Sequence, residues 1–211
     1  MNIDKGFIYG WGGANETIFR WINALSGEPT YDSLMVFLSN VGDHHNFPYY
    51  FIALAVYAGI DFIVRKINKR GGAANSLTVW IGVLSVFACA YAVDGMIVKL
   101  LKEYFSFPRP YIALDHVHVL GSGKENDDYH SFPSGHASFI TVLVCSLWPV
   151  LSGRVPQIGA LLIFAVCWSR IAMGMHFPAD VLAGFLISAI LVTVLRAVIY
   201  TIYARLLRWK C

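Results

Sequence analysis

Charge is what this sequence has least of. Only 14% of its 211 residues are Asp, Glu, Lys or Arg, against 57% hydrophobic residues, and the mean hydropathy is +0.58. A soluble globular chain carries about a quarter charged residues, so a fully water-facing surface is excluded. Intrinsic disorder, which needs low hydrophobicity and high net charge, is excluded with it. A net charge of +3 is too small to indicate a nucleic-acid partner. Cysteine is scarce as well: Cys89, Cys145, Cys167 and Cys211 are far apart and form no CxxC pair. Three of them lie in apolar stretches, where cysteine behaves as a small buried hydrophobe. An uninterrupted apolar leader is also missing, because MNIDKGFIYGWGGANE is Gly-rich and broken; the membrane segments themselves are expected to direct insertion. What is left is a single-domain, all-α polytopic membrane bundle over residues 1–211.

A helix needs about 20 apolar residues to cross the hydrocarbon core. Five segments are predicted to do so: 46–64, 77–101, 136–151, 155–173 and 178–207. Gly71 and Gly72 break the chain before the second, and Pro178 suits the first turn of the fifth. Residues 1–45 are expected to form an interfacial or partly inserted region ahead of the bundle at 46–211. There, Ile18, Trp21, Ile22 and Leu25 recur at helical spacing with Arg20 and Asn23 between them, the pattern of an interfacial helix. Residues 33–41 are apolar but short. A sixth span assembled from 17–41 is the alternative. Several of the tryptophans (Trp11, Trp21, Trp80, Trp148, Trp168 and Trp209) fall near span ends, as interfacial anchors do.

Basic residues sort the loops. Arg65, Lys66, Lys69 and Arg70 follow the first span, Arg154 lies between the third and fourth, and Arg205, Arg208 and Lys210 end the fifth. The positive-inside tendency makes that side cytoplasmic. The loop 102–133, the turn around His176, and His44 and His45 then face away from it. Yet Lys99, Lys102, Arg109, His136, Arg170, His176 and Asp180 gather at or beyond the outer ends of spans. Such a cationic ring on the side that usually avoids it points to a bound anion.

Three motifs organise the ring: Lys102 with Arg109 in KEYFSFPRP, Ser134-Gly135-His136 in FPSGHAS, and Arg170, His176 and Asp180 in SRIAMGMHFPAD. Arg109 and Arg170 offer planar donor forks suited to phosphate, and Lys102 a compact charge. Ser134 sits where a helix starts, and Gly135 lets an anion approach its free N–H groups. Asp180, four residues after His176, can fix one imidazole nitrogen and leave the other free to attack. In order and spacing these motifs resemble the three signatures of the type 2 phosphatidic acid phosphatase (PAP2) superfamily, over residues 99–181. The resemblance implies His176 as nucleophile forming a phosphohistidine, Asp180 as its orienter and His136 as general acid. It implies Lys102, Arg109, Ser134, Gly135 and Arg170 as the phosphate cradle, with no metal or other cofactor.

Other polar groups read differently. Asp115, His116 and His118 lack further ligands at metal-site spacing. His44, His45 and His130 are expected as solvated loop residues or a rim at headgroup level. Asp61 can pair with Arg65, four residues on. Asp94 shares a helical face with Lys102; it is either a supporting partner of Lys99 or Lys102 or part of an unrelated buried pair. The resemblance implies a bacterial inner-membrane lipid phosphatase with its site on the periplasmic side. Its substrates would be polyprenyl pyrophosphate, lipid A, phosphatidylglycerol phosphate or phosphatidic acid. A lipid phosphotransferase using the same intermediate and a non-enzymatic transporter are the alternatives. The soluble haloperoxidase relatives are set aside by the five spans.

Overall fold

The computed structural model describes residues 9–68, 72–120 and 128–208, with the side chains of 206–208 excepted. Lys69, Arg70, Gly71, Trp209, Lys210 and Cys211, most of the GSGKENDD stretch, and the Arg208 side chain therefore lie outside the described residues. Helices and turns account for all regular structure among the described residues.

The N-terminal region forms α1 (Ala14–Asn23) and α2 (Pro29–Val41). Between them Gly27 adopts φ +128°, a backbone conformation natural to glycine. The stretch 17–41 is thus two short helices. Amphipathic α1 leaves Trp21 and Arg20 outside and buries Phe19 and Ile22 together with Asn15 and Asn23. Two buried asparagines on an apolar face must find partners, and both do so at the candidate site described below.

Then come α3 (Phe47–Ile67), α4 (Ala73–Phe105), the one-turn α5 (Pro110–Ala113), α6 (Gly135–Leu147), α7 (Val155–Ala172) and α8 (Pro178–Arg208). Four helical stretches are long and apolar enough to cross a membrane: His44–Ile67, Ala73–Ala113, Val155–Ala172 and Pro178–Arg205. The expected third segment is shorter, α6 continued by a 3-10 turn to Val150. At 1.5 Å per residue it reaches roughly 24 Å. Its brevity goes with its position. Helix α6 is the most enclosed, packed against α4, α7 and α8, with Ala137, Phe139, Ile140 and Val142 at most 2% exposed. Its C-terminal carbonyls need partners within the bundle, and Arg196 of α8 donates to the carbonyl of Cys145.

The outer surface is apolar, as a lipid-facing one must be: Ile52, Ile60, Met96, Leu161 and Ile190 are each more than half exposed. At the far end of α3, Asp61 accepts from Arg65 Nε at 2.9 Å and from Ser76 on α4, the pairing expected from their spacing. Near the other end of the bundle, α8 meets α6 closely through Gly184. A Cβ there would stand 2.7 Å from the carbonyl oxygen of Ser134. Small residues at such crossings let helix backbones approach. That contact sets the distance between the FPSGHAS helix and the helix carrying Asp180.

Candidate active site

The three motifs converge at one end of the bundle. Lys102 lies in the last turn of α4, and Arg109 immediately precedes α5, its extended backbone matching the preference of a residue before proline. Ser134 caps α6, accepting from Ala137 N–H at 3.5 Å, and its own N–H donates to the Asp180 carbonyl at 3.0 Å. Arg170 ends α7. The tight turn 173–177 then presents His176 and leads into α8. Two backbone bonds hold that turn: Met175 and His176 N–H both donate to the Arg170 carbonyl, at 3.1 and 3.3 Å. Gly174 makes it possible with φ +75°, lying so near His118 that a Cβ would be 2.6 Å from its carbonyl oxygen.

Helix α1 clamps both sides of this turn. Asn15 Oδ1 accepts from Ala179 N–H at 2.9 Å, serving one of the donors that a helix start leaves unpaired. Asn23 Nδ2 donates to the carbonyls of Ala172 (2.8 Å) and His118 (2.7 Å), and its Oδ1 accepts from His118 N–H.

His176 is 1% exposed and Asp180 is wholly buried. His176 Nδ1 stands 3.4 Å from Asp180 Oδ2, while Nε2 faces Arg109 Nη1 at 3.4 Å. Arg109, itself wholly buried, also donates from Nη1 to the Met175 carbonyl at 3.2 Å. Arg170 Nη1 donates to Ser39 Oγ on α2 at 2.8 Å. Burial, reinforced by the positive charges of Arg109, Arg170 and Lys102, pushes the His176 imidazole well below its usual range. A neutral ring with a free Nε2 is the nucleophilic form.

Asp180 is held by three donors. Tyr9 Oη donates to Oδ1 at 2.7 Å, and Ser131 Oγ and Phe177 N–H donate to Oδ2 at 2.6 and 2.9 Å. Burial and then the Asp180 charge raise the Tyr9 phenol far above its ordinary value, so it stays a donor. Tyr9 is also seated against Phe107, their ring centroids 4.3 Å apart.

Lys102 and Gly135 open onto a cleft of about 640 Å³, shared with His44, His130, Lys99 and Asp94 and continuing down between α4 and α6 to Phe139 and Val142. A Cβ on Gly135 would meet no protein atom within 4 Å; it would fill cleft space. His136 is half-buried on the first turn of α6. Of the supporting pair suggested by spacing, Asp94 accepts from Ser188 Oγ at 2.6 Å, and Lys99 stands 4.0 Å from Glu103. Asp43, His44 and His45 place possible ligand atoms within 4.8 Å of one another. Asp43 there caps a 3-10 turn, accepting from His45 N–H at 2.9 Å, at the rim of the cleft rather than in the cradle.

Tyr9, Asn15, Ser39 and Ser131 escape a motif reading. Ser131 stands three residues before Ser134 and could have been suspected. The other three lie in the N-terminal region, far from the motifs in sequence.

Comparison with known proteins fits this arrangement. The model of the PAP2 superfamily matches residues 82–204. A lipid A 1-phosphatase of Rhizobium johnstonii is 28% identical over 132 residues, covering 58% of this chain and 49% of that protein. An undecaprenyl-diphosphatase of Sulfolobus acidocaldarius is 27% identical over 177 residues, covering 84% and 74%. The chain thus spans about half the length of the first and about three quarters of the second. Among solved structures, Aquifex aeolicus LpxE is similar with a TM-score of 0.68 and 26% identity, over 86% of this chain and 94% of that one. The transmembrane PAP2-type phosphatidylglycerolphosphate phosphatase of Bacillus subtilis has a TM-score of 0.64 at 22% identity, over 90% and 87%, a likeness of fold alone.

Proposed function

This chain belongs to the PAP2 superfamily as an integral membrane protein, and from that premise we propose that it removes phosphate from an amphiphilic lipid through a phosphohistidine on His176. The observation that carries the proposal is the orientation of one buried ring. Nδ1 is turned to Asp180 and Nε2 to Arg109, so the Nε2 lone pair points where a guanidinium would hold phosphate.

The chemistry follows from that orientation. The Nε2 lone pair forms a bond to phosphorus as the bond from phosphorus to the leaving oxygen breaks, and His136 gives that oxygen its proton. Asp180 stabilises the charge that develops on the His176 ring. A water then attacks phosphorus, passing a proton to His136, and the P–N bond breaks with its electron pair returning to Nε2. Arg109, Arg170, Lys102 and the first N–H groups of α6 meet the charge on the transferring phosphoryl. Preorganised donors of this kind, in a site shielded from water, supply the largest share of stabilisation in phosphoryl transfer.

Substrates are lipids whose phosphate sits at headgroup level while the tail occupies the cleft beside α4. The basic groups Arg65, Lys66, Arg154 and Arg205, toward the opposite ends of their helices, support a site on the non-cytoplasmic face, periplasmic in a bacterial inner membrane. The test is phosphate release by purified protein from a panel of lipid mono- and pyrophosphates. His176→Ala is expected to abolish turnover while the protein still folds and melts cooperatively; near-normal turnover by that variant refutes the assignment. Product that forms only when an acceptor lipid is added would instead make the protein a phosphotransferase.

A further inference from the structure

Asp94 is unusual in where it stands. It is 5% exposed, within the apolar stretch Ala73–Ala113, two helical turns before Lys102. At 1.5 Å per residue that is roughly 12 Å deeper along α4 than the cradle lysine. An ionisable group at such depth is costly and is retained where it lines a cavity and serves a function. Asp94 lines the same 640 Å³ cleft as Lys102 and Gly135, so it faces the same space as two residues of the phosphate cradle. Its Oδ1 accepts from Ser188 Oγ of α8 at 2.6 Å, which fixes the carboxyl between two helices.

The second oxygen has no hydrogen-bond donor among the described residues and is not enclosed by protein. Deeper along the cleft its lining includes the apolar Met96, Val98, Phe139 and Val142, while the charged and polar groups Lys99, Lys102, Glu103, His44 and Tyr91 complete it. A tail of hydrocarbon alone would strip water from a carboxyl oxygen and give nothing back. A lipid with a hydroxyl or an amide N–H at that depth would donate to it.

We infer that Asp94, steadied by Ser188, is a specificity-determining residue that selects phospholipids bearing a hydroxyl or amide N–H in the linkage region beneath the phosphate, over lipids whose tail is plain hydrocarbon. The inference rests on the phosphatase reading above and deepens it. Asp94 does not touch the reacting atoms; it acts on which substrate settles in the cleft. Losing it is felt mainly in KM, and mainly for the lipids that can donate.

The experiment compares wild type, Asp94→Leu, Asp94→Asn and Ser188→Ala in detergent micelles. Three substrates serve: a phosphorylated glycolipid with amide-linked 3-hydroxyacyl chains, a diacyl phosphatidic acid with ester linkages only, and a polyprenyl diphosphate. Asp94→Leu is expected to lower kcat/KM on the hydroxyacyl-amide lipid about tenfold through KM, roughly what one hydrogen bond contributes. On the polyprenyl diphosphate it should leave kcat/KM unchanged or raise it. Asp94→Asn keeps an acceptor oxygen and should restore most of the loss. Ser188→Ala should shift selectivity in the same direction by a smaller factor. An equal loss by Asp94→Leu on all three substrates would show a structural role and overturn the inference, as would no change on any of them. Wild-type protein that releases phosphate from none of the lipids would overturn the phosphatase reading itself, and this inference with it.

Discussion

Replacing Tyr9 by Phe removes a single oxygen from the site and little else. The ring is held by Phe107, at a centroid distance of 4.3 Å, and by Phe132 and Phe177 at 6.0 and 5.9 Å, contacts that phenylalanine preserves. What disappears is the 2.7 Å bond from Tyr9 Oη to Asp180 Oδ1. Among the described residues Tyr9 is the one hydrogen-bond donor to that oxygen, since Ser131 and Phe177 N–H both serve Oδ2. Asp180 is wholly buried, so water cannot readily replace the lost donor. A hydrogen bond to a charged group is worth about 1.5–3 kcal/mol. Two consequences are separable. The folded state should lose about that amount, read as a lower melting temperature in detergent. The carboxylate is also freed to rotate away from Nδ1 of His176, and kcat should fall about tenfold while KM changes little, because the phosphate cradle is untouched. Pairing Tyr9→Phe with Ser131→Ala should cost more or less than the sum of the two, since both bind one carboxylate. Wild-type kcat and melting temperature in Tyr9→Phe would refute the claim that the N-terminal segment belongs to the catalytic apparatus.

Two glycines should respond oppositely to alanine. Gly184→Ala drives a Cβ to 2.7 Å from the backbone oxygen of Ser134, so α8 and α6 must part; overpacking of this kind costs about 1–3 kcal/mol. Both the melting temperature and kcat should drop, because α6, which carries His136, and α8, whose leading turn presents His176, lose register. Gly135→Ala meets only cleft space, so the fold should be kept while KM rises; a melting point falling as far as in Gly184→Ala would contradict the cleft assignment. Acid should destabilise the protein through His176. Its folded value lies below the unfolded value of about 6.5, so the unfolded chain takes up the proton first. The contribution is fully present above about pH 6.5 and is lost as pH falls below it. Melts between pH 5 and 8 should show a shallower acid slope for His176→Gln than for wild type.

Much of this protein is written in order along the chain. Low charge and long apolar runs specify helices in a bilayer, since there the backbone must satisfy itself locally. Pro178 and Ser134 mark helix starts that the structure keeps, and the Asp61–Arg65 pair forms at its expected spacing. The three motifs were legible for the same reason: each is a local device, a cap, a fork or an i, i+4 pair, whose geometry depends on neighbours a few residues away. Only the tertiary structure decided what surrounds them. Residue numbers gave no hint that Tyr9 would reach Asp180 across 171 positions, that Ser39 would hold Arg170, or that Asn15 and Asn23 would bracket the His176 turn. Those contacts arise because buried polar groups must find partners wherever the packing of α1 and α2 brings them. Asp94 makes the same point. Spacing placed it on the face of Lys102, but helix packing gave it Ser188 on one side and an open cleft on the other.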